Sequence, residues 1–429
     1  MSCLKFHDAR HPTPLIAALA LLGAAQTVSA ATPSAGPLPA GPIERVTTSA
    51  SGSLANASTS TCGLSADGRW VLVASEASNL VPGDTNRRSD LFLKNLDTGA
   101  VLRVTTQSNG AEIAAGGNCI GTTMTPDARR VAFNSAGAVH VKDTLTGQLT
   151  QVSPPPGTVP QVTGFSGGVL SDDGRKVVFS TVPELRYTGG YNFVNVVPKR
   201  LMVRDIETGG LEVLATDNGI VEQGEVIGSR FAISPDGTRV AFVSSSASLV
   251  PGDVNGRPDV FVRNLTDSTT TLVSRSSEGA PSNAVQYWNP SFASDTRVAF
   301  ATGGVSSLGP HGLYLKDLTS GELSFVLDAV DGGGDAKLSA DARQVVFGRL
   351  YNSGWNRRIW VRDLATGEEA LVSAGATGTA SNGNATGAVI SRDGSTVIFG
   401  SDARNLIAPR PPAGVFHVYA KTIGAAGPR

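Results

Sequence analysis

A turn centred on aspartate, followed at once by a short apolar strand, recurs along this chain and limits what it can fold into. The aspartates are Asp67, Asp127, Asp173, Asp236, Asp295, Asp341 and Asp393. The strands after them read WVLVAS, VAFNS, VVFST, VAFVSS, VAFAT, VVFGR and VIFGS. A further strand with a basic end follows in each unit, as in LFLKNL, VHVKDT, LMVRDI, VFVRNL, LYLKDL and IWVRDL, with a degraded FHVYAKTI in the last. A Thr-Gly type of turn then leads to an alternating strand such as VLRVTT or EALVS. With one more strand before each Asp turn, the unit is a four-stranded antiparallel sheet. Such a sheet, built from about 50 residues, cannot bury both of its faces without neighbours.

The last unit lacks its fourth strand, and the matching segment stands at the other end of the chain. Arg45-Val46-Thr47 has the form of Arg103-Val104-Thr105. Docked on the last unit, it closes a ring and hides the strand edges that an open array would leave. The expectation is an all-β, single-domain β-propeller of seven four-stranded blades, closed by an N-terminal strand. Six or eight blades are the lesser alternatives.

The first 30 residues read as an export signal. Lys5 and Arg10 precede an apolar run over 15–25, and Val28-Ser29-Ala30 suits cleavage. The run is too short to span a membrane, and no other candidate follows. Residues 31–42, rich in Pro and Ala, read as a tether, and 43–429 as the propeller. The expected location is therefore the periplasm or the medium, and the expected state a monomer. A net charge of −1 argues against a nucleic-acid partner, which a basic surface would serve. Without Cys3, the exported chain keeps Cys62 and Cys119, each just before a turn Asp of neighbouring units. They form a disulfide candidate, with two buried free thiols as the alternative.

The segments SADGRWVLV and SPDGTRVAF, each followed by a strand such as DVFVRNL, resemble the TolB-like, WD-type β-propeller repeat. The resemblance runs from about residue 43 to 423 and implies a propeller. The family mixes periplasmic partner-binding proteins, propellers attached to serine peptidases and other secreted proteins. This chain shows no separate N-terminal α/β domain, and it has seven repeats where TolB has six blades, so TolB's role in envelope integrity is not carried over.

The residues offer little chemistry. The Asp turns occupy equivalent places in every unit, so one site could not use them together, and backbone bonding in the hairpin explains them. Gly164-Phe165-Ser166-Gly167-Gly168 matches the G-x-S-x-G nucleophile elbow, but strand-type sequence follows it where the elbow needs a helix. His140, His311 and His417 stand in different units, with no ligand spacing. The segments Asp84-Thr85-Asn86 with Asp90, and Asp253-Val254-Asn255 with Asp259, resemble fragments of a calcium loop, as does the acidic stretch of Asp328, Asp331 and Asp335. The reading is no cofactor and no metal, these being structural turns, with weak calcium binding as the alternative.

Loop length is the one asymmetry. The turns after the first and third strands are tight, whereas the connections at 76–89, 183–200, 245–258 and 350–358, on the opposite face, are long. Tyr187, Tyr191, Phe193, Tyr287, Trp288, Tyr351 and Trp355 are assigned to this loop face, with Arg357 and Arg358. Long loops on a rigid scaffold commonly carry binding, and Tyr, Trp and Arg dominate binding energies. The expected function is a non-catalytic binding module that recognises an envelope protein or glycan through that face. The rival is a hydrolase or lyase at the channel mouth there, drawing on Glu184, Glu222, Glu225 and Arg357. A purely structural role in a larger assembly is the third reading.

Overall fold

A computed structural model describes residues 41–189, 192–195, 199–217, 231–246, 248–251, 253, 255, 257–284, 286–303, 306–328, 336–350 and 356–423. Seven four-stranded antiparallel sheets follow one another along the chain as the blades of a propeller. Blade 1 is built from Thr59–Leu64, Trp70–Ser75, Asp90–Asn95 and Val101–Arg103, and blade 2 from Thr123–Met124, Arg130–Ser135, Ala138–Asp143 and Leu149–Gln151. Blade 3 comprises Val162–Leu170, Lys176–Pro183, Lys199–Asp205 and Leu211–Asp217; blade 4 comprises Phe231–Ile233, Arg239–Ser244, Asp259–Asn264 and Thr270–Leu272. Blade 5 holds Gln286–Ser294, Arg297–Gly303, Gly312–Asp317 and Leu323–Asp328, and blade 6 holds Lys337–Leu338, Gln344–Leu350, Arg357–Asp363 and Glu369–Leu371. Blade 7 takes Ala385–Ile390, Thr396–Ser401 and His417–Thr422 from the end of the chain and Ile43–Arg45 from its beginning. Among the described residues there is no helix, and so none long and apolar enough to cross a membrane.

The core lies between the blades. Each interface holds its own apolar layer: Leu72, Leu91 and Phe133 join blades 1 and 2, Phe242 and Phe261 work against blade 3, and Phe399 and Tyr419 against blade 6. The V-A-F strand places its ring opposite an aromatic of the third strand, so Phe133 pairs with His140, Phe242 with Phe261, Phe300 with Tyr314 and Phe399 with Tyr419. Cross-strand ring pairs of this kind add to sheet stability beyond the area they bury. They also account for His140, which fills the ring position of blade 2 and stacks on Phe133 at 5.7 Å.

The Asp turns are structural in detail. In blade 1, Ser65 Oγ donates to Asp67 Oδ1 at 2.6 Å and accepts the Trp70 N–H at 2.8 Å, while Asp67 accepts the Arg69 N–H at 3.1 Å. The Ser/Thr-to-Asp bond recurs at Asp127, Asp173, Asp236, Asp341 and Asp393. Asp295 departs from the set. Blade 5 turns in two residues between Ser294 and Arg297, and Asp295 Oδ1 instead takes the Asp236 N–H of blade 4 at 2.9 Å.

Lysines stitch neighbouring blades together. After the fourth strands of blades 7, 1, 4 and 6 the chain makes a small bridged loop, closed by Thr48 and Leu54, Thr106 and Glu112, Arg275 and Pro281, and Ala374 and Ala380. The third strand of the next blade sends a lysine into it. Lys94 donates to Thr48 O and Gly99 O, Lys142 to Thr106 O, Gln107 O and Gly147 O, and Lys316 to Arg275 O, Ser276 O and Gly321 O. Lys421 reaches Leu371 O and Ala374 O. Each ammonium leaves water, which lowers its pKa, but its donors are met by carbonyls. Blades 3, 4 and 6 carry Arg204, Arg263 and Arg362 at this place.

The ring closes where the termini meet. Ile43, Glu44 and Arg45 pair with Lys421, Ala420 and Tyr419. Arg45 lies over the Tyr419 ring and donates to Ile407 O and Pro409 O at 2.9 Å each. Val46, 1% exposed, enters the layer between blades 7 and 1. Removing residues 43–48 should open that layer and the edge of blade 7. The expected outcome is a large fall in melting temperature or aggregation, and an unchanged melting curve would refute the closure.

The same seam makes stability depend on pH. His417 is fully buried, its Nδ1 2.9 Å from Thr47 Oγ1 and its Nε2 without a hydrogen-bond partner. Burial, helped by Arg45, pushes its pKa from 6.5 down to about 4. Between those values the unfolded chain binds a proton that the folded chain refuses, so stability falls as pH drops through this window and levels off below it. The loss from this group is of order 3 kcal/mol. Urea midpoints measured from pH 7 to 4 should fall less steeply for His417→Phe than for the parent, and equal slopes would assign the acid sensitivity elsewhere.

Candidate functional site

The connection between the second and third strands is two residues long in blade 2, whereas blades 1 and 3 carry long loops there. Ala136 and Gly137 both have positive φ, 50° and 75°, the geometry of a tight hairpin turn. A notch of about 440 Å³ opens over this turn. Arg88 and Ser89 of blade 1 form one wall, Asn118 and Ile120 of the segment entering blade 2 another, and Phe165 and Ser166 on the first strand of blade 3 a third. Asn134 stands on the floor. Its amide donates to Ile120 O at 3.0 Å, while its buried Oδ1 has no partner. Ser135 Oγ donates to Gly116 O at 2.8 Å and so holds the loop against the turn. Cys62 and Cys119 lie 2.01 Å apart sulfur to sulfur, tying the same loop to the first strand of blade 1.

This geometry explains the G-x-S-x-G segment. A Cβ on Gly164 would stand 2.9 Å from Gly137 O, and one on Gly167, at φ +80°, would strike the Phe231 ring. A Cβ on Gly168 would crowd Ala132 and Gly121 O. The glycines let the first strand of blade 3 lie against both neighbours. Ser166 lines the notch, but the partner of its hydroxyl is Ser180 Oγ at 3.4 Å, and no imidazole stands at that bond to act as base.

Acidic groups gather elsewhere on the loop face. Asp84, Asp90 and Glu112 of blade 1 bring carboxylate oxygens within 4.8 Å of one another. Arg103 answers them, 2.6 Å from Glu112 and 3.7 Å from Asp84. Asp90 accepts Asn86 Nδ2 at 2.9 Å and the Thr105 hydroxyl. Burial raises the pKa of Asp84 and of Asp90, and for Asp84 the neighbouring Asp90 adds to it. On the opposite face, Arg392 of blade 7 pairs with Asp172 of blade 3. These blades stand three apart in a ring of seven, so the pair links them at the turn face.

The sequence-derived binding residues are distributed unevenly. Tyr191, Tyr351 and Trp355 lie outside the described residues, as do Glu222 and Glu225. Tyr187 pairs in register with Phe193 in a two-stranded hairpin inside the blade 3 loop. Tyr287 and Trp288 belong to a strand and not a loop: they stand near the start of the first strand of blade 5, opposite Thr302 and Ala301. Arg357 and Arg358 begin the third strand of blade 6, where the Arg357 N–H donates to Asn384 Oδ1 at 2.9 Å and its side chain covers Gly348. Glu184 is exposed beside the blade 3 loop. The notch residues Asn134, Asn118 and Arg88 escaped the sequence reading, which followed long loops. Their signal was the single short connection between two long ones.

No family model and no curated protein matches the sequence. Solved propellers do match in structure. An oligogalacturonate lyase in complex with manganese aligns over 91% of this chain and 98% of its own, at 14% identity and a TM-score of 0.59. The oligogalacturonate lyase from Vibrio parahaemolyticus aligns over 90% and 98%, at 15% identity and 0.58. The β-propeller domain of the Trilobed protease from Pyrococcus furiosus aligns over 86% and 94%, at 14% and 0.50. TolB structures are among the further matches. At these identities the likeness is one of fold, the propeller that the repeat implied.

If the glycines serve packing, Gly164→Ala should cost about 1–3 kcal/mol through the forced shift against Gly137. Ser166→Ala should cost clearly less in urea unfolding. The reverse order would reject this account of the motif.

Proposed function

We propose that this protein is an exported binding module that takes a carbohydrate chain on its loop face, at the notch over blade 2. The observation that carries this reading is the lining: side-chain amides, hydroxyls, exposed backbone and one guanidinium, with no carboxylate or imidazole among the lining residues. Such groups exchange hydrogen bonds with sugar hydroxyls, and the unpaired Oδ1 of Asn134 offers a buried acceptor to one. General acid–base chemistry needs titratable groups brought together, and the notch supplies only Arg88. Its guanidinium suits a carboxylate, which favours an acidic sugar. Tyr187, Tyr191, Tyr287, Trp288, Tyr351, Trp355, Arg357 and Arg358 are proposed as further contacts on this face, where aromatic rings would stack on sugar. The signal-like start of the chain supports placing the protein in the periplasm or outside the cell.

A lyase or hydrolase at the same face is the second reading. The near full-length fold likeness to two oligogalacturonate lyases favours it and points to the same class of acidic sugar.

A glycan array followed by calorimetry tests the first reading. Asn134→Ala and Arg88→Ala should each weaken an acidic oligosaccharide by about tenfold, near 1.4 kcal/mol, without moving the melting curve. Absence of binding by any oligosaccharide, or unaltered binding by both variants, would refute the notch. New reducing or unsaturated ends in the incubated sugar would replace binding with catalysis.

A further inference from the structure

The phrase L-V-P-G-D-x-N occurs in blade 1 and again in blade 4, and the two loops are built alike. In blade 1, Asn86 Nδ2 donates to Asp90 Oδ2 and to Ile113 O, and Thr105 donates to Asp90 Oδ1. In blade 4, Asn255 Nδ2 donates to Asp259 Oδ2 at 2.6 Å and to Ser282 O at 2.8 Å, and Ser274 donates to Asp259 Oδ1 at 2.5 Å. These bonds correspond one for one, so Asp253 occupies the place of Asp84.

Their surroundings differ at several positions, and Arg275 stands where blade 1 has Thr106. Arg103 pairs in register with Phe92, and its counterpart opposite Phe261 is Leu272. Glu112 closes the bridge to Thr106, and its counterpart in the bridge to Arg275 is Pro281. Asp84 therefore has a guanidinium beside it and Asp253 an isobutyl group. Asp253 is 5% exposed, and neither of its carboxylate oxygens has a hydrogen-bond partner. Leaving an ionised carboxylate buried and unpaired costs several kcal/mol. Asp259 lies six positions further on, and Asn255 and Ser274 each donate to one of its oxygens.

We propose that the blade 4 loop binds a hard divalent cation, calcium in an extracellular setting, through Asp253 and Asp259. The metal there does what Arg103 does in blade 1. Calcium takes six to eight oxygens, and a site with two carboxylates completed by carbonyls and water belongs to the weak class, with Kd near 10⁻⁴–10⁻³ M.

The test uses the full exported chain after exhaustive EDTA dialysis. Calcium at about 5 mM should raise the melting temperature by about 2–4 °C and give a saturable calorimetric isotherm. Asp253→Asn should abolish both responses, as should Leu272→Arg, which supplies the blade 1 cation. In EDTA each variant should melt no lower than the parent. Asp84→Asn should retain the full calcium response. The proposal fails if calcium moves neither readout in the parent, if Leu272→Arg folds and still responds, or if Asp84→Asn removes the response. Should Asp253→Asn not fold, Leu272→Arg and Asp84→Asn decide between these results.

Discussion

No blade of this protein can bury itself, and every other feature answers to that. A four-stranded sheet has two apolar faces and, among the described residues, no helix covers them, so each blade is stable only as the slice between two others. The layers of Phe, Val and Leu between neighbours are the core. Polar fittings then fix how the slices meet. The lysines of blades 1, 2, 5 and 7 hold carbonyls of the preceding blade, and the glycines of blade 3 allow its first strand to lie close to the turn of blade 2.

This division of labour decides what could be read from residues alone. The Asp turn, the V-A-F strand and the orphan RVT segment are local signals repeated seven times with variations, so the blade count and the closing strand were legible. Asp295 was misread because its turn is two residues long, which frees the aspartate to bond the preceding blade. Tyr287 and Trp288 were assigned to a loop because nothing local marks where a strand stops. The notch was not legible. It arises from three segments meeting over a short hairpin, and Arg88, Asn118, Asn134 and Ser166 share no pattern in sequence.

The two L-V-P-G-D-x-N loops show how a repeat protein acquires individuality. Their described cap bonds correspond, and what separates them lies beside the phrase: Arg103 against Leu272 and Glu112 against Pro281. A copied loop inherits its aspartates with the backbone, while the partner that neutralises them sits on another strand and is free to change. Differences in function between blades are therefore to be sought beside the repeated phrase as well as within it.

The strand that completes blade 7 precedes every other strand of the ring along the chain, while its partners follow them all. Arg45 and its acceptor Ile407 are 362 residues apart. Until residues 385–422 are made, Val46 lacks the blade 7 half of its layer and Ile43–Arg45 have no strand to pair with, so the ring closes last. A chain with so late and so distant a closing contact is slow to complete. Any step that needs the chain unfolded is therefore easiest before the two ends of the ring have met.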